Sequence, residues 1–400
     1  MADAFAPFRV DVDLEAERAF DTRQIHAGAK PNPATKARAV PIYATAPTVE
    51  VFEKRVAALE GGTAAVACAS GQSAVFQAII LCLAHTGDNI VASTALYGGS
   101  YSMFKTLLPR IGVTVKWVTS DNAKDYRPLI DDRTKLVFVE TVGNPRISIP
   151  DLQAIADIAH EYSVPLIVDN TFGAGGFWCP VISFGADIVV HSATKWLGGH
   201  GTTVGGVIVD SGCFDWNKAG DRFPHLTQLS DGPMPFSYAA NFGRVAFAMA
   251  LRLEIVMEVG SVLNPFAAQQ ILLGMETLSL RCDRIASNAL KIATFFSKHP
   301  QTNWISYPGL PTDKYHYRGK KYLRRGVGDC KTMATHPWSS THAIMTEEDR
   351  TNAGITEDLI RLSVGTEDVE DIIKDITRGL QAITRSEKIT NGQGHAESDN

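Results

Sequence analysis

The stretch His191-Ser192-Ala193-Thr194-Lys195-Trp196-Leu197-Gly198-Gly199-His200-Gly201 decides how the rest of this chain is read. It follows the apolar run Ala186-Asp187-Ile188-Val189-Val190, which has the composition of a strand buried on both faces of a parallel sheet. A lysine just past such a strand, flanked by hydroxyls and followed by glycines, sits where open α/β sheets bind their ligands. Alone, it would be better read as a solvated loop residue. A second strand overturns that reading. Pro165-Leu166-Ile167-Val168-Asp169-Asn170-Thr171 also closes on a charged group, here an acid.

An acid ending one buried strand and a lysine ending another suit pyridoxal 5'-phosphate. The lysine makes the Schiff base with the aldehyde, and the acid keeps the pyridine nitrogen protonated. Ser192 and Thr194 are then hydroxyl donors to the phosphate. This pairing is the most specific signal in the chain.

Composition sets the frame. With 400 residues the chain exceeds one core and predicts about two domains. Hydrophobic residues at 45% and charged residues at 20% are ordinary for a soluble globular protein. A net charge of −5 leaves no footprint for nucleic acid or an anionic membrane. The six cysteines are scattered without a C-x-x-C pair, which points to reduced thiols in the cytoplasm. The acidic N-terminus (Asp3, Asp11, Asp13, Glu15, Glu17) suits neither a secretory nor a mitochondrial leader. No apolar run approaches the roughly 20 residues of a membrane span.

Along the chain, residues 1–47 read as an extended arm. Thr48 to Leu59 is helical and stops at Gly61-Gly62. Ser70-Gly71-Gln72-Ser73 opens a helix running to about Leu83. Its N-terminus offers free N–H groups and a favourable dipole to an anion, although an N-cap at Ser70 suffices to explain the turn by itself. Strands are predicted at Asn89–Ser93, Val113–Thr119, Lys135–Glu140, Leu166–Asp169, Asp187–His191 and Gly206–Val209. They alternate with helices such as Asp151–Tyr162, a pattern that means a mostly parallel sheet covered on both faces. After Pro235 come long helical stretches over Phe242–Val259 and Phe266–Ser297. A strand at Leu359–Val364 and a helix from about Glu367 to Ile383 follow, and the end from 386 to 400 reads as a disordered tail. The expected division is an arm at 1–47, a cofactor-binding domain at 48–255, a smaller α/β domain at 256–385 and the tail.

Val168-Asp169-Asn170-Thr171 followed by Ser192-Ala193-Thr194-Lys195-Trp196-Leu197-Gly198-Gly199-His200 resembles the Cys/Met-metabolism family of fold-type-I pyridoxal-phosphate enzymes. Within it, the chain is most similar to the O-acetylhomoserine sulfhydrylases, also called homocysteine synthases, from about Thr22 to Thr384. The resemblance implies roles that the residues alone leave open. Gly71 and Gln72 would cradle the phosphate. Tyr97, in Leu96-Tyr97-Gly98-Gly99-Ser100, would stack on the pyridine ring and assist the leaving group; its bare reading is a turn tyrosine. Asn144, in Glu140-Thr141-Val142-Gly143-Asn144-Pro145, would hydrogen-bond the phenolic oxygen, whereas Asn-Pro alone is a turn signal. Arg361 would clamp the substrate carboxylate, as a guanidinium suits, against the plainer reading of a pair with Glu367 or Asp368. His336-Pro337-Trp338-Ser339-Ser340-Thr341-His342 is similar to another substrate-side segment; two histidines without a third ligand make no metal site.

Three departures accompany the resemblance. A Tyr-x-Arg pair that reaches a neighbouring subunit's phosphate is missing, because Thr45 runs through Ala46 straight into Pro47. A glycine-rich strand after Lys320-Lys321-Tyr322-Leu323 is missing too, and Gly326 stands where relatives place a small polar residue. The implied activity is γ-replacement on O-acetyl-L-homoserine with sulfide, a thiol or another nucleophile, in a homo-oligomer. The rivals are a cystathionine γ-synthase or lyase and, from a different class, a catalytically weakened subunit that joins an intact paralogue.

Overall fold

The computed structural model describes residues 18–29, 40, 42–43, 46–83, 85–230, 235–324, 332–343, 345–352 and 354–393, with backbone only at 46, 352 and 384–393. Its main sheet has seven strands: β1 (Ala64–Cys68), β2 (Asn89–Ser93), β3 (Thr114–Val118), β4 (Thr134–Glu140), β5 (Leu166–Asp169), β6 (Ile188–Ser192) and β7 (Gly206–Asp210). They lie in the order β1-β7-β6-β5-β4-β2-β3. Only β7 runs against its neighbours, β1 and β6. The strand signals at 89–93 and 166–169 match the observed bounds, and the others fall within about a residue. Ala64–Ala69, read only as small and apolar, is the strand the sequence pattern leaves unassigned.

The period of two along each strand divides the core into two layers. Val137 and Val139 pack on one face with Phe52, Leu59 and Trp178. Leu136 and Phe138 pack on the other with Ile79, Phe104 and Phe223. Every residue of β4 is buried, and each fully buried aliphatic chain contributes about 1.5–3 kcal/mol. The Ala46–Glu60 helix covers the first face and stops at Gly61, whose φ is +80°. Gly62 N–H then reaches back to Ala57 carbonyl at 2.9 Å, a closing bond that a left-handed residue permits.

Two helical stretches differ from the expected ones. The run from 242 to 259 is broken: Tyr238–Phe242 ends at Gly243, φ +51°, and the chain resumes as Ala246–Ala250 before widening into a π-helical segment at Leu251–Val256. The run from 266 to 297 is two helices, Pro265–Met275 and Leu278–Lys298. Asn264 caps the first, its side chain accepting Phe266 N–H at 2.8 Å, with Pro265 at the first helical position where proline is tolerated.

A smaller core joins Ala289, Ile292 and Ala293 to Tyr307, Leu310, Val364, Val369 and Ile372. Leu278, Cys282 and Ile285 of the same long helix belong to the main core. The two cores therefore share one helix, some way past the expected boundary at 255. The second sheet has two antiparallel strands, β8 (Met333–Thr335) and β9 (Arg361–Ser363). The last helix runs from Val369 to Gln393. Residues 386–393, expected as disordered tail, are thus helical in backbone, and 394–400 lie outside the described residues. The expected arm contains a helix, Phe20–His26, tied to the long helix by Gln24, whose amide donates to Ser279 Oγ at 2.9 Å. Among the described residues no helix is long and apolar enough to cross a membrane.

Candidate active site

Because β1, β2, β4, β5 and β6 share one direction, their C-terminal ends lie along one edge of the sheet. That edge carries Ser70-Gly71, Glu140, Asp169 and the Ser192–Lys195 turn. The Gly71–Cys82 helix starts there. Ser70 Oγ accepts Ser73 N–H at 3.1 Å and Ser70 carbonyl accepts Ala74 N–H at 3.0 Å. The N–H groups of Gly71 and Gln72 come before these two, at helix positions that have no intrahelical partner.

Two glycines bring this turn onto the strand ends. A Cβ on Gly71 would lie 2.6 Å from Ser192 Cβ, and one on Gly206 would lie 2.0 Å from Ser70 carbonyl oxygen. Gly206 is paired with both Ser192 and Cys68. The result is a cradle of two backbone N–H groups with the Ser192 hydroxyl beside them. This donor set fits a phosphate monoester. Thr194 behaves differently. Its hydroxyl accepts Gly205 N–H at 3.1 Å and donates to Gly205 carbonyl at 3.3 Å, so it braces the turn.

Lys195 is exposed at the turn following β6. Its N–H donates to Ser192 carbonyl at 3.1 Å and its carbonyl accepts Gly199 N–H at 2.6 Å. Arg281, from the long helix, braces the same turn by donating to Trp196 carbonyl at 2.9 Å and Gly274 carbonyl at 2.8 Å. A Cβ on Gly199 would lie 2.3 Å from that guanidinium, and Gly199 has φ +72°; both facts require glycine.

Asp169 ends β5 beside Val190 of β6. Its Oδ1 accepts Thr171 N–H at 2.9 Å. Burial pushes this carboxyl above its usual range, while the Thr171 bonds and His191 pull it back. Beneath it lies a buried network. His191 Nε2 is 2.6 Å from Glu60 Oε1, and Asn170 Nδ2 donates to the same oxygen at 2.8 Å.

Tyr97 begins the Gly98–Ser102 turn of helix and is 45% exposed. Its N–H donates to Glu140 Oε1 at 2.6 Å. Gln72 Nε2 donates to Ser100 Oγ at 3.0 Å, joining the cradle to the Tyr97 turn. Arg361, at the start of β9, donates from Nη1 to Asn144 Oδ1 at 3.0 Å. That bond joins the second sheet to the main sheet's edge. His342 packs against Gly98 and is buried; burial, with the Arg361 charge adding to it, pushes its imidazole down to about 4. His336 bonds Ser339 Oγ at 2.7 Å and Glu357 carbonyl at 2.7 Å.

The structure thus gathers Gly71, Gln72, Tyr97, Asp169, Ser192, Thr194 and Lys195 at one edge and links Asn144 to Arg361. Sequence reading missed Glu140 and Arg281. Glu140 had a usable signal, since it is an acid closing an apolar strand, as Asp169 is. Gly326 and the junction at 44–45 lie outside the described residues. Beside that junction, Tyr43 N–H donates to Thr48 Oγ1 at 2.8 Å.

The sequence pattern of the Cys/Met metabolism PLP-dependent enzymes matches residues 44–327 and 322–381. The chain belongs to this family. Its members depend on pyridoxal phosphate, and the cradle, Asp169 and Lys195 are the residues here that would hold it. The match comes in two pieces that meet at 322–327, where the missing strand is expected. Among relatives, a sulfhydrylase of Fusarium oxysporum f. sp. lycopersici is 45% identical over 421 positions, covering 90% of this chain and 97% of its own. The homocysteine synthase of Schizosaccharomyces pombe is 44% identical over 427 positions, covering 92% and 99%. Both alignments are longer than the 400-residue chain, so each relative carries segments that this family member lacks. A Campylobacter jejuni structure described as an O-acetylhomoserine (thiol)-lyase superposes with a TM-score of 0.85 at 27% identity, covering 91% of this chain and all of that one. That structure holds an N'-pyridoxyl-lysine-5'-monophosphate. These likenesses bear out the fold-type-I architecture and the cofactor.

Proposed function

We propose that this chain catalyses γ-replacement on O-acetyl-L-homoserine, with sulfide or another small nucleophile taking the place of acetate at Cγ. The observation that carries the reading is the Arg361–Asn144 hydrogen bond of 3.0 Å. It supports a guanidinium held beside the edge that bears Lys195, in the place where an amino-acid carboxylate would be recognised. Pyridoxal phosphate, when bound, supplies the electron sink for bond breaking at Cα and Cγ. The chain's own groups do the rest. Gly71, Gln72 and Ser192 hold the phosphate. Asp169 holds a proton on the pyridine nitrogen, and Asn144 meets the phenolic oxygen. Lys195 Nζ would hold the cofactor's aldehyde end and would serve as the base for the substrate Cα proton. Tyr97 covers the ring and assists departure of acetate. Arg361 fixes the carboxylate.

Assembly with a second copy or an intact paralogue is part of this reading. Met257, Val259, Val262 and Phe266 are 58–70% exposed within ten residues of chain, an apolar surface of the kind that marks a subunit contact. The segments absent relative to both fungal proteins favour one alternative, a weakened subunit working beside a complete paralogue. We place the protein in the cytoplasm, from its scattered thiols. Visible absorbance of the purified protein with added cofactor, before and after O-acetylhomoserine, tests the reading. The expected result is a spectral change with acetate released only when sulfide or a thiol is supplied. Acetate release without a nucleophile would point to a lyase. No spectral change, alone or mixed with a paralogue, would sink the enzymatic reading.

A further inference from the structure

Glu140 and Asp169 are direct partners in the parallel pairing of β4 and β5, so both carboxyl groups leave the sheet on one face. Glu140 is 5% exposed. Asp169 accepts Thr171 N–H, has the Thr171 hydroxyl beside it, and lies near His191. Glu140 has the single N–H of Tyr97, at 2.6 Å, and among the described residues it forms no ion pair with a cation. It also borders a small cavity of mixed lining that includes Ser93, Asp121, Tyr126 and Ser148; Asp121 there is paired with Lys314 at 3.2 Å, and among the described residues no cation lines the cavity. Two buried carboxylates at neighbouring positions cannot both ionise cheaply, and the less supported one keeps its proton.

We propose that Glu140 is a positioning residue that works as an uncharged acid: it anchors the Tyr97 turn at the site and leaves Asp169 as the single negative charge at these strand ends. The inference rests on the roles given above to Tyr97 and Asp169. Burial, with the Asp169 charge beside it, raises the Glu140 carboxyl well above its ordinary range, and the Tyr97 bond offsets only part of this. The charged and titratable groups facing it are Asp169 from β5 and Asp121 and Tyr126 across the cavity, with His191 beyond Asp169. None of these bonds Glu140, so its hold on the Tyr97 turn needs only an acceptor oxygen. Glutamine supplies that oxygen without a charge; alanine supplies neither.

The test compares wild type, Glu140→Gln and Glu140→Ala. On apoprotein, infrared difference spectra between neutral and alkaline pH should contain a protonated-carboxyl band that Glu140→Gln lacks. On the loaded enzyme, Glu140→Ala should lose about tenfold in kcat/KM and in cofactor affinity, the scale of one hydrogen bond with its geometry. Glu140→Gln should stay within about threefold of wild type on that scale and lose the alkaline fall in rate that comes with ionisation of Glu140. The proposal is overturned if the wild-type band is the same in Glu140→Gln, if glutamine is as damaging as alanine, or if alanine is harmless. A wild-type protein inactive on O-acetylhomoserine would count against the γ-replacement reading alone, because the band is read without cofactor or substrate.

Discussion

The two ends of the main sheet both bury acids, and they treat them differently. At the end away from the site, Asp187 accepts Leu166 N–H at 2.8 Å and lies 2.7 Å from His160 Nε2. Asp210 accepts Gly212 N–H at 2.9 Å and Ala248 N–H at 3.1 Å, one on each oxygen. Each acid there is answered from two directions by the chain itself. At the other end, Asp169 and Glu140 each take one backbone N–H, and Asp169 ends the strand next to the one that leads into the lysine turn. The difference teaches how to tell a structural acid from a working one. Both kinds are buried; at the site's edge each acid takes a single backbone N–H.

The sharpest way to break this comparison is at Lys195. Lys195→Ala should abolish turnover, since the general-base role alone is worth about 10²–10⁴ in rate, and it should leave the fold intact because the side chain is exposed. Borohydride reduction with peptide mapping checks the position, and a label on another lysine would move the site. Next, a pair of substitutions sets the two ends against each other. Asp169→Asn should cut kcat by about a hundredfold or more, as loss of one preorganised electrostatic group does. Its apoprotein should be as stable as wild type or more so, because burial already disfavours that charge. Asp187→Ala should do the reverse: it leaves Leu166 N–H unanswered, costs about 1–3 kcal/mol of stability, and spares kcat. Denaturant unfolding beside steady-state rates separates the two, and equal effects on both readouts would dissolve the distinction.

A smaller effect is expected at Arg361. Losing a charge-assisted hydrogen bond costs about 1.5–3 kcal/mol, or roughly ten- to hundredfold in apparent substrate affinity, so Arg361→Ala should raise KM with little change in kcat. An unchanged KM would shift the clamp to another group. The smallest effect concerns pH. Burial lifts the Asp210 carboxyl to about 7 against an ordinary value of 3.8. The native state therefore holds a proton that the unfolded chain has already released. Asp210 thus lowers stability progressively as pH rises from about 4 to about 7, with no further change above. Asp210→Asn should flatten that slope in melting temperature without touching activity.

The sequence was informative where one chemical pattern repeats. Strands whose every residue is apolar announce themselves, and their charged ends mark the working edge, which is why Lys195 and Asp169 were legible without coordinates. Glu140 escaped because its own strand end was read as the approach to Asn144. Arg281 escaped because an arginine in a helix looks solvated until its acceptors, the carbonyls of Gly274 seven residues back and of the distant Trp196, are known. The single helix expected over 242–259 failed at Gly243, whose positive φ no periodicity reveals. The meeting of Asn144 with Arg361 spans 217 residues, a separation at which no local pattern carries information.

The helix from Leu278 to Lys298 gives its first turns to the main core and its last to the smaller one. A partition of that kind leaves no seam at which a protease could free one half in folded form. It also ties the fate of the two cores together, since unravelling either end removes the wall of the other. Heating should therefore produce one cooperative transition rather than two. Because Arg281 sits on this shared helix and grips the loop after Lys195, that turn would lose its support in the same step that melts the smaller core.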